Sequence, residues 1–217
     1  MKRRTLPAAT ALAATAALLL TACGSGDDSS KDNDKIAGAD TGSQTPASPS
    51  ASTAGSAGRP EIELPSDLNL VFEGGKTGDP VKDAVLADNA ERMRAVDAAI
   101  TGTDPKGHAI AYYNTGKALE AALSWVAEFK KAGATLTGVA RYYDRNVTLT
   151  SKTSATLSFC ADESEGFSKD KKTNKIDKTP VTKNSYVLYN TRLDKNSDGV
   201  WQTSQIISNR GAIKCQP

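Results

Sequence analysis

Apolar residues recur along this chain with spacings that change from segment to segment, and each spacing predicts its own kind of element. Leu6 to Leu20 is a run made almost wholly of Ala, Leu and Thr. Residues 24–60 are Gly, Ser, Asp, Ala, Thr and Pro with almost no large apolar side chain, a composition that cannot bury enough surface to offset chain entropy. Leu64, Leu68, Leu70, Val71 and Phe72 then mark residues 61–75 as a lead-in that docks on a folded domain. Val81, Val85, Met93, Val96 and Ile100 form a stripe at roughly helical spacing. Asp79 is placed to cap that helix, Pro80 fits its first position, and Gly102 breaks it. A second helix is predicted from about Lys106 to Lys131 on Tyr112, Thr115, Leu119, Ala122, Val126 and Phe129, with Leu123 and Trp125 widening its buried face. Lys130 and Lys131 suit the negative end of its dipole, and Gly133 stops it.

From Ala134 the period falls to two. Residues 136–150 read as one long strand with room for a bulge, and Ser151-Lys152-Thr153 turns the chain. Ala155, Leu157, Phe159 and Ala161 alternate with Thr156, Ser158, Cys160 and Asp162, the pattern of a half-buried strand. Residues 163–180 read as a polar, Lys-rich loop. Residues 184–193 and 199–208 form a hairpin, and a last short strand carries Ile213 and Cys215. Helices followed by antiparallel strands predict an α+β domain, with N-terminal helices packed on a curved antiparallel sheet.

The N-terminal run gains meaning from its flanks. Met1-Lys2-Arg3-Arg4 is a positive cluster, and the apolar stretch after it is shorter than the about 20 residues that a spanning helix needs. Together they fit a secretory signal segment, residues 1–22. Leu20-Thr21-Ala22-Cys23-Gly24 resembles the lipobox of bacterial lipoproteins, in which small residues precede a Cys that takes a diacylglyceryl group. Cys23 is therefore the expected lipidation site and first residue of the mature chain. Multiple acyl chains give a stable anchor, so the expected location is the extracytoplasmic face of the plasma membrane. The domain plan is a signal segment over 1–22, a lipidated, disordered tether over 23–66, and an α+β domain over 67–217.

Export decides how the remaining cysteines are read. Outside the cytoplasm, Cys160 and Cys215 are expected to form a disulfide. A metal site built from them and the single His108 would lack ligands and the usual close spacing, so no metal or cofactor is expected. The formal charge of the 217-residue chain is +2, too small to draw a polyanion, so no nucleic-acid partner is expected.

Asp194-Lys195-Asn196-Ser197-Asp198-Gly199 matches half of a calcium loop. Gln205 stands where the bidentate carboxylate belongs, and Asn, Asp and Gly are also what a tight hairpin turn needs. The turn is the expected reading. Asp162, Glu163 and Glu165 beside Lys169-Asp170-Lys171-Lys172 read as a solvated loop, with protein binding as the sharper alternative.

Residues 77–217 resemble the NTF2-like (cystatin-like superfamily) fold, and in particular NTF2-like lipoproteins of high-GC Gram-positive bacteria. The residues carrying the resemblance are the helical pair, Ala155–Asp162 ending in Cys-Ala-Asp, Ser185-Tyr186-Val187-Leu188-Tyr189, Gly199-Val200-Trp201-Gln202 and the terminal Cys215. The resemblance implies a cone between helices and sheet. Enzymes of that fold, such as ketosteroid isomerases, place an Asp base and proton donors there. His108, Tyr112, Tyr113, Tyr142, Tyr143 and Asp144 are the residue types available. None sits in a motif that aligns with those enzymes, so no catalytic residue is assigned. The expected function is non-enzymatic: a membrane-held domain that binds an envelope protein or a small apolar ligand. The alternative is an isomerase- or dehydratase-type enzyme using the cone, which a deep cavity with converging Asp and Tyr would favour.

Overall fold

The computed structural model describes residues 58–217. The 1–22 segment, Cys23 and nearly all of the tether lie outside the described residues.

The first helix, α1 (Pro80–Thr101), forms where the stripe places it. Asp79 Oδ1 accepts from the amides of Val81 at 2.8 Å and Lys82 at 3.2 Å, answering two of the free donors of the first turn. Gly102 closes the other end at φ 94°, a left-handed conformation that a side chain would strain.

The expected second helix is two: α2 (His108–Tyr113) and α3 (Gly116–Ala132). The break lies at Asn114 and Thr115, and its cause is the sheet. The Thr115 amide donates to Thr203 O at 2.9 Å, while Asn114 Nδ2 donates to Ile110 O at 2.9 Å and so ends α2 with its own side chain. Helical spacing runs on across the break, which is why periodicity alone misses it. Leu123 and Trp125 do not widen the buried face of α3. They are 50% and 47% exposed and flank the stripe of Ala118, Ala122 and Val126 that packs.

Six strands follow: β1 (Leu68–Phe72), β2 (Ala134–Leu149), β3 (Ser154–Asp170), β4 (Ile176–Asp177), β5 (Tyr186–Lys195) and β6 (Trp201–Arg210). The sheet order is β1-β2-β3-β5-β6, with β4 on the end of β3. All pairs are antiparallel except β1 with β2, which run parallel with Leu70 opposite Ala140. The expected lead-in is thus a strand for part of its length, its Leu68 and Leu70 buried on either side of exposed Asn69.

The expected loop over 163–180 is a strand as far as Asp170. Residues 165–170 pair with Ala134–Val139 of β2, so the period-two signal is lost to exposed charge while the backbone stays in the ladder. Two register shifts in β2, at Val139/Arg141 and Tyr143/Asn146, bend the sheet. Gly138, at φ 94°, stands just before the first of them, where a Cβ would lie 2.1 Å from Glu165 O. The expected last strand is a short 3-10 turn over Ile213–Cys215, with Ile213 87% exposed.

The helices cover one face of the bent sheet. Val85, Leu86 and Met93 of α1 pack with Tyr142, Leu157, Phe159 and Trp201, and a second group joins Ile100, Ile110, Tyr113, Ala122 and Val126. Burying each such large side chain contributes about 2 kcal/mol. The base of the tether is part of this packing: Ile62 and Leu64 lie against the two clusters. Arg59 pairs with the carboxylate of Asp88, which is buried and also accepts from the Trp201 amide at 2.8 Å. On the opposite face Cys160 and Cys215 form a disulfide, with Cα atoms 5.5 Å apart, beside Tyr143, Tyr186 and Leu188.

Candidate functional site

The space between α1 and the sheet is closed at one end by Leu157, Trp201 and Leu193, all at most 1% exposed. Toward the C-terminal half of α1 its lining becomes polar. Arg92 and Asp97 enter from α1, Tyr142 from β2 and Tyr189 from β5. Around them stand Met93 and Phe159, with Leu136 against the same cluster. Phe159 meets Tyr189 in a stacked pair at 5.1 Å and Tyr142 edge-on at 6.1 Å, which fixes both phenol rings.

The electrostatics of this group follow from burial. Removal from water pushes the Asp97 carboxyl up to about 7, helped by the charge of Glu163 and opposed by Arg92. The Tyr142 hydroxyl is raised well above its ordinary value, first by burial and then by Asp97 and Tyr189. The Tyr189 hydroxyl is raised first by burial and then by Glu163. Both phenols therefore stay protonated and remain hydrogen-bond donors. Among the described residues, no protein group bonds to the Asp97 carboxyl or to either hydroxyl. Glu163 pairs with Arg210 at 2.8 Å across β5. That pair also borders an open concavity of about 280 Å³ lined by Thr179, Pro180, Thr182 and Asn184. A second concavity, about 380 Å³, lies by Val81 and Leu149–Lys152. Neither takes in Asp97, Tyr142 or Tyr189.

Of the residue types expected for a cone, only Tyr142 is in this group. Tyr113 is buried among Ile110, Val126 and Val200, and Tyr112 packs edge-on against it at 4.9 Å. Tyr143 faces the disulfide side, where its hydroxyl donates to Cys215 O. Asp144 is exposed at a bulge, at φ 50°, and His108 is exposed at the start of α2. Asp97, Arg92 and Tyr189 were missed. The available signal was polar residues set among the buried positions of α1.

The Asp194–Gly199 segment is a hairpin turn. Asn196 Oδ1 accepts from the amides of Asp198 at 3.0 Å and Val200 at 2.9 Å. The Asp194 carboxylate is held by Arg192, Ser154 and Ser204, and these bonds draw its acidity down to about 2. Glu163, expected on a solvated loop, is on β3 and paired to Arg210.

No protein-family model and no curated protein matches the chain. Solved structures that resemble it include a ketosteroid isomerase-like protein from Erwinia carotovora atroseptica, 18% identical over 62% of this chain and 98% of that one, with a TM-score of 0.37. The hexachlorocyclohexane dehydrochlorinase LinA-type3 from Novosphingobium barchaimii is 10% identical over 60% and 88%, with a TM-score of 0.40. The intermembrane space region of the chloroplast protein ARC6 is 14% identical over 57% and 92%, with a TM-score of 0.37. Likeness at this level brings no activity to this chain.

Proposed function

We propose that this chain is a lipid-anchored protein of the extracytoplasmic face of the plasma membrane, and that its NTF2-like domain is a binding module for a small, largely apolar ligand. Its anchor is the acylated Cys23, and its tether is the 23–66 segment, whose last part packs through Ile62 and Leu64. The disulfide between Cys160 and Cys215 supports export, because such bonds persist in oxidising compartments.

The observation that carries the ligand reading is the polar group of Asp97, Tyr142 and Tyr189, which bonds to no protein partner among the described residues and stands beside the apolar Met93, Phe159 and Leu136. A molecule with an apolar body and one polar group completes this set. Binding is favoured over chemistry because none of these residues stands in a motif that aligns with enzymes of this fold.

Native protein purified from its own membranes, measured intact and then extracted with solvent, tests both halves. The expected mass is that of a chain starting at Cys23 with a diacylglyceryl group, and the extract is expected to hold one small amphipathic compound, lost in Asp97→Asn. A chain starting at Met1 with an unmodified thiol defeats the anchor. An empty extract, with a single envelope protein crosslinked in living cells, replaces the small ligand with a protein partner.

A further inference from the structure

An open sheet edge offers a row of backbone donors and acceptors to any strand that fits it, so proteins usually guard such edges. The β1 edge is guarded: the strand is five residues long, and Asp67 and Glu73, just outside its ends, pair with Lys169 and Arg141. The β6 edge is treated differently. Its start is covered, because Thr203 O accepts from the Thr115 amide at 2.9 Å. Beyond the register shift opposite Arg192/Leu193, no described backbone group pairs with its outer side. From Trp201 to Asn209 the strand carries no charged residue and no proline, and Ile207 is 71% exposed. Gly211 N donates to Tyr186 O at 2.8 Å. The alternation of the antiparallel ladder therefore turns the amides and carbonyls of Ile206, Ser208 and Arg210 away from β5.

We infer that the outer half of β6 is a pairing edge for a second copy of this chain, running antiparallel about a twofold axis at Ile207. That register sets Ile206 against Ser208 of the second copy and the reverse, so outward donors meet outward acceptors on both sides. It also lays the two Ile207 side chains against each other and takes both from water. The charged residue of the strand, Arg210, falls beside Ser204 of the second copy, whose hydroxyl donates to the Asp194 carboxylate at 2.6 Å, and not beside a second Arg210. A shift of one residue would set outward groups against inward ones, and a shift of two would part the isoleucines. The edge is thus self-complementary, as a twofold contact requires. A contact this short falls below the about 1,200 Å² of a standard interface, so the dimer is expected to be weak and in exchange with the monomer.

Sedimentation of the chain from residue 23 onward carrying Cys23→Ser tests the inference. The mass is expected to rise from that of the monomer toward twice that value as concentration climbs from the low micromolar to the submillimolar range. Ser208→Pro removes an amide that β5 does not use, and is expected to leave the monomer folded and abolish the rise. Should Ser208→Pro fail to fold, Ile207→Lys, at an exposed position, is expected to do the same by setting two like charges opposite each other. Opposed residues of this kind lie about 4.5 Å apart at Cα, within disulfide reach. Ile207→Cys is therefore expected to give a covalent dimer under mild oxidation, whereas Gln205→Cys, which faces Asn209 of the second copy, is not. A monomer at every concentration overturns the inference. A dimer that survives both Ser208→Pro and Ile207→Lys overturns it too, as does equal crosslinking at 205 and 207, since the copies then meet elsewhere.

Discussion

Asp97→Asn is expected to stabilise the protein above pH 7 and to leave it unchanged near pH 3. The Asp97 carboxyl rises from 3.8 to about 7 on folding, chiefly because it is buried. A group raised in the folded state holds its proton more tightly there than in the unfolded chain. Its cost is therefore absent below about pH 4, grows as pH climbs, and is fully developed above about pH 7. At about 1.4 kcal/mol per pH unit the ceiling is about 4 kcal/mol. Part of the Asp97 surface remains open, and water screens it, so about 2 kcal/mol is the working figure. Asn has the shape of the protonated acid and carries no charge at any pH.

Urea unfolding at pH 3 and pH 8, with the disulfide intact, reads the difference. A slope of about 2 kcal/mol per molar turns 2 kcal/mol into a midpoint about 1 M higher for the variant at pH 8. The two proteins are expected to coincide at pH 3. A variant that is weaker than the parent at pH 8, or a difference that does not change with pH, shows that Asp97 is not an ion held at a cost in the interior.

Other perturbations probe the frame that holds this polar group. Arg59→Ala leaves the buried Asp88 carboxylate without its cation and is expected to cost about 3 kcal/mol in urea unfolding, whereas Asp88→Asn, which keeps an acceptor for the Trp201 amide, is expected to cost less. Replacing Cys160 and Cys215 by Ala opens a 55-residue span and is expected to lower stability by about 4 kcal/mol, read as a loss of melting temperature that reductant reproduces in the parent. Gly138→Ala forces a Cβ to 2.1 Å from Glu165 O and is expected to cost more than about 3 kcal/mol, with no such loss at the open Gly75.

How much of this was legible depended on how local each signal was. The cap at Asp79, the stop at Gly102 and the turn at Asn196 are set by groups within four residues of one another, and the residues announce them. The pairing of Cys160 with Cys215 was expected from two cysteines remaining beyond Cys23 in a chain read as exported. The break between α2 and α3 could not be seen, because the Thr115 amide is claimed by Thr203 from the far end of the chain. The strand over 163–170 was hidden for the same reason: its hydrogen bonds come from Ala134–Val139, while its side chains read as a soluble loop.

The polar group itself was hidden by a different habit of reading. A search for helical periodicity credits Val85, Val96 and Ile100 and treats the polar residues between them as interruptions. Asn89 and Arg92 stand four and seven residues after Val85, on the buried side of α1, and both are at most 5% exposed. An amide and a guanidinium at core positions each cost folding free energy that an apolar residue of similar volume would not. A helix that only had to pack would do better with leucine at both. Among the described residues both polar atoms of the Asn89 side chain are buried without a partner, while Arg92 keeps Asn114 as its acceptor. The informative positions in α1 were thus the ones that weaken its stripe, and they lie in the interior with Tyr142, away from the exposed Asp144 and His108.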